Sequence, residues 1–249
     1  MTLKDLHTHT LWCDGRNTAE EMIESAIEKG LTTIGISAHN YTAFDISYCM
    51  KLEDIPRYIA QMHYLRAKYY DRIHVLCGTE QDYYSDEPTD EFDYVIGSVH
   101  YLHFGDEYVP VDWYADTLRA AVQKYCGGDF YALCEEYYRT IGDVASKTGC
   151  DIIGHFDLIA KFNEKEHLFD EQHPRYVAAW QAAVDELLKA KVPFEINTGS
   201  LSRGYMSRPY PSADMIAYIK ARGGELVLSS DAHCAGNIAF GFDRYSQLL

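Results

Sequence analysis

Two hydrophobic rhythms alternate along the chain. Short, mostly apolar and β-branched runs read as strands: "TTIGIS" (32–37), "IHVLCGTE" (73–80), "DYVIGSVH" (93–100), "DIIGH" (151–155), "VPFEIN" (192–197) and "ELVLSS" (225–230). Leu3 to His7 reads as a short first strand. Between these runs, apolar residues recur three and four positions apart. That spacing predicts helices over Thr18 to Lys29, Leu52 to Tyr70, about 113–148 with a break at Gly127-Gly128, His173 to Ala190, and Ser212 to Arg222. Thr18 and Glu21 form a capping-box pattern, Gly30 follows the helix end, and Ser212 is a serine cap. Pro56 fits only in the first turn of its helix.

The result is about seven β-then-α steps, the signature of a parallel sheet covered by helices. The strands are almost continuously apolar, as expected when both faces are buried. An open doubly wound sheet usually carries a glycine-rich loop after its first strand. Here that position reads H-T-H-T, so a closed barrel is the expected architecture. No repeat, low-complexity tract or linker divides residues 1–249, and a single domain is expected.

Composition narrows the function. Formal net charge is −16, and no run of Lys and Arg interrupts it. Such a surface disfavours nucleic acid and anionic membranes, while bound divalent cations would offset part of the charge. No apolar run is long enough to span a bilayer, and the first residues lack a signal-peptide pattern, so a cytoplasmic protein is expected. The seven cysteines are scattered and contain no C-x-x-C, which argues against a disulfide framework or a thiolate zinc site. A monomer or small homo-oligomer is expected. The 21 tyrosines read mainly as packing residues.

Active-site residues of parallel α/β folds sit at the carboxyl ends of strands. Read in order, those ends carry His7 and His9, His39, Glu80, His100, His155, Asn197, and Asp231 with His233. Six of the eleven histidines fall there; His63, His74, His103, His167 and His173 do not. One histidine after a strand is usually structural, but six on one rim are not explained that way. In extended chain, residues i and i+2 project to the same side, so the H-x-H of His7 and His9 and the D-x-H of Asp231 and His233 can each grip one ion. With Asp14 close by, these residues predict a polynuclear centre. Imidazole and carboxylate without thiolate suit zinc, manganese or iron. Such centres hydrolyse esters by activating water and clamping the attacking and leaving oxygens. No G-x-S-x-G, P-loop or H-E-x-x-H offers a competing mechanism.

The ordered set H-x-H, "GLTTIGISAH", "GTE", "IGSVH", "IIGHFD", "EINTG" and "LSSDAH" resembles the motifs of the PHP (polymerase and histidinol phosphatase) superfamily across nearly the whole chain. "HTHTLWCDGRNTAEEMIESAIEKGL" and "LSRGYMSRPYPS" are similar to its stand-alone histidinol-phosphate phosphatases. The resemblance implies a distorted (β/α)7 TIM-like barrel with two or three divalent ions at the carboxyl ends of its strands. It implies His7, His9, Glu80 and Asp231 on a first ion, Glu80 bridging to a second with His100 and His155, and Asp14, His39 and His233 on a third. The catalytic set would be Asp231, Arg203 and His233. Arg203 would stabilise charge on the phosphoryl oxygens, with Lys161 and Arg208 as further phosphate-binding candidates. Asn197 would orient a ligand or substrate. Asp231, or a water at the metals, would protonate the leaving alkoxide. Asp14 replaces a histidine common in the superfamily, and Ala38 stands where many members carry an acid before the second-strand histidine. The implied activity is hydrolysis of a small phosphate ester, L-histidinol phosphate first. Acids near the rim, Asp45, Glu87, Asp106 and Glu107, are candidates for its cationic end. Another small ester or nucleotide, and a non-catalytic metal-binding module, are the alternatives.

Overall fold

The computed structural model describes residues 3–249. In chain order it contains β1 (Lys4–Asp5), α1 (Ala19–Glu28), β2 (Thr33–His39), α2 (Ile55–Lys68), β3 (His74–Asp82), β4 (Tyr94–Ser98), β5 (Tyr101–Phe104), β6 (Glu107–Pro110), α3 (Ala115–Tyr125), α4 (Phe130–Gly142) and α5 (Val144–Thr148). There follow β7 (Ile152–Ile153), α6 (Asn163–Glu166), α7 (Pro174–Leu187), β8 (Phe194–Asn197), α8 (Gly199–Ser202), α9 (Ala213–Ala221), β9 (Leu226–Ser229) and α10 (Phe242–Tyr245). Seven strands form one parallel sheet in the order β1-β2-β3-β4-β7-β8-β9. The sheet curls until its ends meet: Thr8 bridges in parallel to Ala232, and the His9 amide donates to the Ala232 carbonyl at 2.8 Å. The result is a nearly closed seven-stranded barrel, as expected.

Three expectations need correction. The first strand and the "DIIGH" strand pair over only two residues each. An antiparallel hairpin, β5 with β6, follows β4 where no strand was foreseen. The helical stretch 113–148 is three helices rather than two, divided at Gly127-Gly128 and again at Asp143.

Alternation along the strands separates two chemistries. Ile34, Ile36 and Ala38 of β2 and Val75 and Cys77 of β3 join Met22, Ile23 and Ala26 of α1 and Ile59, Met62 and Leu65 of α2 in one buried cluster. Helix α1 starts as its sequence demands: Thr18 accepts from the Glu21 amide, and Glu21 accepts from the Thr18 amide. Each such cap contributes about 1 kcal/mol. On the far side, α4 packs on α7 through Leu133, Tyr137, Ile141, Trp180 and Val184.

The intervening residues face the barrel interior. Its lower part is filled by Tyr94, Ile96 and Ile152 with Leu76 and Val227. The Tyr94 ring lies across Gly35 and Gly78, and its hydroxyl donates to the Leu6 carbonyl. With that end plugged, the next inward positions on the same strands, His39, Glu80, Ser98 and His100, crowd toward the carboxyl mouth.

The plug gives a direct test. A Cβ at Gly78 would stand 2.1 Å from the Tyr94 ring, which is itself buried in the barrel. Gly78→Ala is therefore expected to destabilise the fold by about 1–3 kcal/mol, the usual range for overpacking. Urea unfolding should show a lower midpoint with an unchanged slope; an unchanged midpoint would mean the plug is not tight.

Candidate metal centre

Glu80, at 1% exposure, is the hub of the mouth. One oxygen, Oε2, lies 3.1 Å from His7 Nε2, 3.5 Å from His9 Nε2 and 3.1 Å from His39 Nδ1. The other, Oε1, accepts from the Ser98 hydroxyl at 2.6 Å and lies 2.9 Å from His155 Nε2 and 3.4 Å from His100 Nε2. Asp231 closes the first group, with Oδ1 3.3 Å from His9 Nε2 and 3.7 Å from His7 Nε2. Its backbone φ of +50° lies in the left-handed region, a strained conformation that Asp tolerates better than most residues. A further group gathers around Asp14. Its Oδ1 is 3.7 Å from both His9 Nδ1 and His39 Nε2, and its Oδ2 is 3.0 Å from His233 Nε2.

These atoms fit divalent ions. Buried His7 Nε2, His9 Nε2 and Glu80 Oε2, which face one another, make no hydrogen bond to any described residue. Leaving a buried polar atom unpaired costs about 1–3 kcal/mol, so a cluster of them at one spot calls for a partner. Donors holding one tetrahedral ion at ~2.1 Å stand roughly 3.4 Å apart. The separations among His7, His9, Glu80 and Asp231 lie on both sides of that value. Three ligand sets are close enough to share an ion: His7, His9 and Glu80; His39, Glu80 and His100; and His9, Asp14, His39 and His233. The groups overlap more than the resemblance implied. His9 also joins the Asp14 group, and His39 also reaches Glu80.

The electrostatics follow from this crowding. Burial alone would raise the pKa of Glu80, but His7, His39 and His100 hold it well below the usual carboxylate range. For Asp231, burial is likewise outweighed, first by Arg203 and then by His7. Burial pushes His39 down to about 3, and burial with the neighbouring His233 lowers His9, so both imidazoles keep free lone pairs. Burial also opposes charge on His7 and His100, but Glu195 and Glu80 raise the first well above normal, and Glu80 and Asp82 the second.

A cavity of about 440 Å³ opens over this cluster. Arg203 lies on its wall, with Nη2 2.8 Å from Asp231 Oδ2 and Nη1 3.1 Å from His233 Nδ1. Gly199 permits this approach, since a Cβ there would sit 2.8 Å from both Arg203 Nη2 and Asp231 Oδ2. Lys161 also lines the cavity and donates to the Asp112 carbonyl at 2.7 Å and its carboxylate at 3.1 Å. Arg208 does not line it. Its guanidinium is taken up by Asp157 at 2.8 Å and Glu171 at 3.0 Å, which corrects its candidacy for phosphate binding. Asn197 is fully buried and also absent from the cavity wall. Its amide donates to Glu195 at 3.0 Å and approaches Asp231 at 3.4 Å. Of the rim acids, Glu107 is tied to Lys124 and Tyr125, and Asp45 accepts from Tyr101 and Ser47; beyond the ligand-type carboxylates, the cavity wall carries Asp112.

Two orienting carboxylates escaped the sequence reading. His7 Nδ1 donates to Glu195 Oε1 at 2.7 Å, which leaves Nε2 free to face Glu80, and Glu195 also accepts from the His155 amide at 3.0 Å. Asp82 accepts from the His100 amide at 2.9 Å. The signal was the i, i+2 spacing that pairs Glu195 with Asn197 and Asp82 with Glu80, both inward-facing strand positions. Carboxylates behind ligating imidazoles typically contribute 10–100-fold to metal affinity. Glu195→Gln should therefore weaken zinc binding by about that factor in chelator competition; unchanged affinity would make Glu195 merely structural. The raised pKa of His7 and His100 sets a second expectation. Below those raised values both rings carry protons that an ion must displace, so zinc affinity should fall as pH falls and binding should release protons. Calorimetry in buffers of different ionisation enthalpy reads that release directly, and zero release would contradict it.

The comparisons with known proteins agree with this geometry. Over its full barrel the chain is 31% identical to the "Probable histidinol-phosphatase" of Deinococcus radiodurans, covering 96% of this chain and 90% of that one. The crystal structure of a Listeria monocytogenes protein given the same provisional assignment superposes with a TM-score of 0.84 at 21% identity, covering 97% of this chain and 99% of that one. That of histidinol phosphate phosphatase from Lactococcus lactis, complexed with zinc, L-histidinol and phosphate, gives 0.75 at 22% identity, covering 99% and 92%. The family model described as the PHP domain matches residues 5–199, and the chain belongs to that family.

Proposed function

We propose that this chain is a metal-dependent phosphomonoesterase that hydrolyses L-histidinol phosphate to L-histidinol and phosphate. The observation that carries the reading is the ring of unsatisfied donor atoms around Glu80 at the floor of a cavity walled by Arg203 and Lys161. His7, His9, Glu80 and Asp231 would hold one ion, Glu80 with His100 and His155 a second, and Asp14, His39 and His233 a third. When bound, divalent ions supply an activated water and neutralise charge that builds on the phosphoryl oxygens.

The protein's own groups do the rest. Arg203, held against Asp231 and His233, presents a fixed guanidinium beside the donor cluster, suited to the equatorial oxygens of the phosphoryl group. Lys161 adds a second cation on the opposite pairing, with Asp112. Asp231 stands between the ligand cluster and Arg203 and, held ionised there, fixes that guanidinium toward the cavity; a water at the ions would protonate the leaving oxygen. The organic end of the substrate meets a different surface. Tyr48, Tyr101, Trp113, Tyr114 and Tyr205 give the cavity an aromatic wall, with the Asp112 carboxylate among them. An imidazole ring stacks on such a wall and an ammonium group favours both the ring faces and the acid. The relatives named as histidinol-phosphatases support the same substrate. Among the described residues no helix is long and apolar enough to cross a membrane.

The test is phosphate release from L-histidinol phosphate beside p-nitrophenyl phosphate and a nucleoside monophosphate, on protein loaded with manganese or zinc. kcat/KM for histidinol phosphate should exceed the others by a hundredfold or more, roughly 3 kcal/mol of transition-state discrimination. Equal and slow turnover of all three would leave a phosphatase of another substrate, and no release from any ester would leave a metal-binding module.

A further inference from the structure

Three cationic side chains line the cavity, and two of them are already compensated. Arg203 is paired with Asp231 at 2.8 Å, and Lys161 with Asp112 at 3.1 Å. The third, Arg16, was given no role by the sequence. Its side chain is exposed, lines the same cavity, and makes no hydrogen bond or ion pair with any described residue. Four carboxylates, Asp14, Glu80, Asp112 and Asp231, line the cavity with it. Asp14, Glu80 and Asp231 are committed to the ion cluster, Lys161 and Arg203 are paired with carboxylates, and Arg16 is the cation on the wall that no described carboxylate has claimed.

The backbone around Arg16 is fixed. The Arg16 amide donates to the His233 carbonyl at 2.8 Å, linking this turn to the loop after β9. Within the turn, the Cys13 and Gly15 amides both donate to the Thr10 carbonyl, at 3.0 and 3.1 Å, and the Leu11 amide donates to the Asn17 carbonyl at 3.0 Å. Arg16 is thus carried on a hydrogen-bonded loop, two residues from Asp14, at the mouth over the Asp14–His233 side of the ligand cluster. The backbone of Arg16 is thus fixed at the mouth, while the planar fork of donors on its guanidinium remains unsatisfied. Bidentate recognition of phosphate by Arg is among the stronger charge-assisted contacts available to a protein.

We infer that Arg16 captures the phosphate group of the ester, binding a peripheral phosphoryl oxygen at the cavity mouth before and during its seating on the ligand cluster. This rests on the reading of the site as a phosphatase only in that the ligand is a phosphate monoester. The division of labour is then physical. Arg203, locked to Asp231 and His233, serves the seated phosphoryl group. Arg16, free and exposed, supplies ground-state affinity for the dianion.

The experiment measures inorganic phosphate binding to zinc-loaded protein by calorimetry, together with KM and kcat for L-histidinol phosphate. Four proteins are compared: wild type, Arg16→Gln, Arg16→Lys and Arg222→Gln. Arg222 pairs with Asp185 on the helical surface and does not line the cavity, so its variant removes the same charge elsewhere. Arg16→Gln should weaken phosphate binding about tenfold, roughly 1.4 kcal/mol, and raise KM by a similar factor. Arg16→Lys should recover part of the loss, and Arg222→Gln should match wild type. Phosphate affinity in Arg16→Gln equal to wild type would overturn the inference. So would an equal loss in Arg222→Gln, because the effect would then be general charge. If wild type releases no phosphate from histidinol phosphate while phosphate binding still depends on Arg16, the substrate reading fails and the Arg16 assignment stands.

Discussion

A single buried carboxylate organises this molecule. Glu80 sits almost without solvent at the end of β3, with His7, His9 and His39 against one oxygen and His100, His155 and Ser98 against the other. Burying a charge is costly unless it is paired and hydrogen-bonded, and here the partners come from β2, from β4 and the residues just after it, and from the segments that follow β1 and β7. The barrel satisfies Glu80 only when those strands are in register. His39 lies directly opposite Glu80 across the β2–β3 pairing, and Glu80 lies opposite Ile96, two residues before Ser98. A one-residue slip in either pairing would turn these side chains toward the helices. The polar mouth therefore depends on the same alternation that sends Ile34, Ile36, Val75 and Cys77 outward into the helix layer.

The apolar plug and the polar mouth are two ends of one column. Tyr94 occupies the lower barrel because Gly35 and Gly78 leave room for its ring, and inward residues further along the same strands are Ser37, Glu80 and Ser98. A wide, evenly apolar barrel interior would bury these groups without partners. Placing a large aromatic below them moves the polar set upward to the rim, where the cavity and water are accessible. In this way packing sets the depth of the chemistry.

Much of this was legible because the signals are local. Strand ends carrying His7, His9, His39, Glu80, His100, His155 and Asp231 announce a rim, and Thr18 with Glu21 announces where α1 begins. What was not legible depends on closure across long separations. His7 and Glu195 are 188 residues apart, and only the curled sheet brings that imidazole onto that carboxylate. Arg208 stands in the same sequence neighbourhood as Arg203, but its side chain turns to Asp157 and Glu171, while Arg203 reaches Asp231. Its position soon after a strand end favoured Arg203, but nothing in spacing showed that Arg208, five residues on, turns away from the cavity. The hairpin β5–β6 escaped for a related reason: its four-residue strands are half exposed and lack the apolar run that marked the barrel strands.

The two departures from the superfamily pattern can be read against the same geometry. Ala38 is fully buried in the cluster between the sheet and α1 and α2, so an acid at that position would lie on the helix side of β2, away from the mouth. His39 takes its orientation from within the barrel instead, from Glu80 at 3.1 Å on one nitrogen and Asp14 at 3.7 Å on the other. Asp14 in turn is shared by His9, His39 and His233. A carboxylate can face three imidazoles because it has two oxygens and accepts from several directions. It also adds a negative charge where a histidine would add none, which strengthens the hold on a hard divalent ion and makes the mouth less hospitable to a phosphate dianion. An uncompensated cation at the same mouth answers the second effect, and Arg16, two residues along the same fixed turn, is placed to supply it.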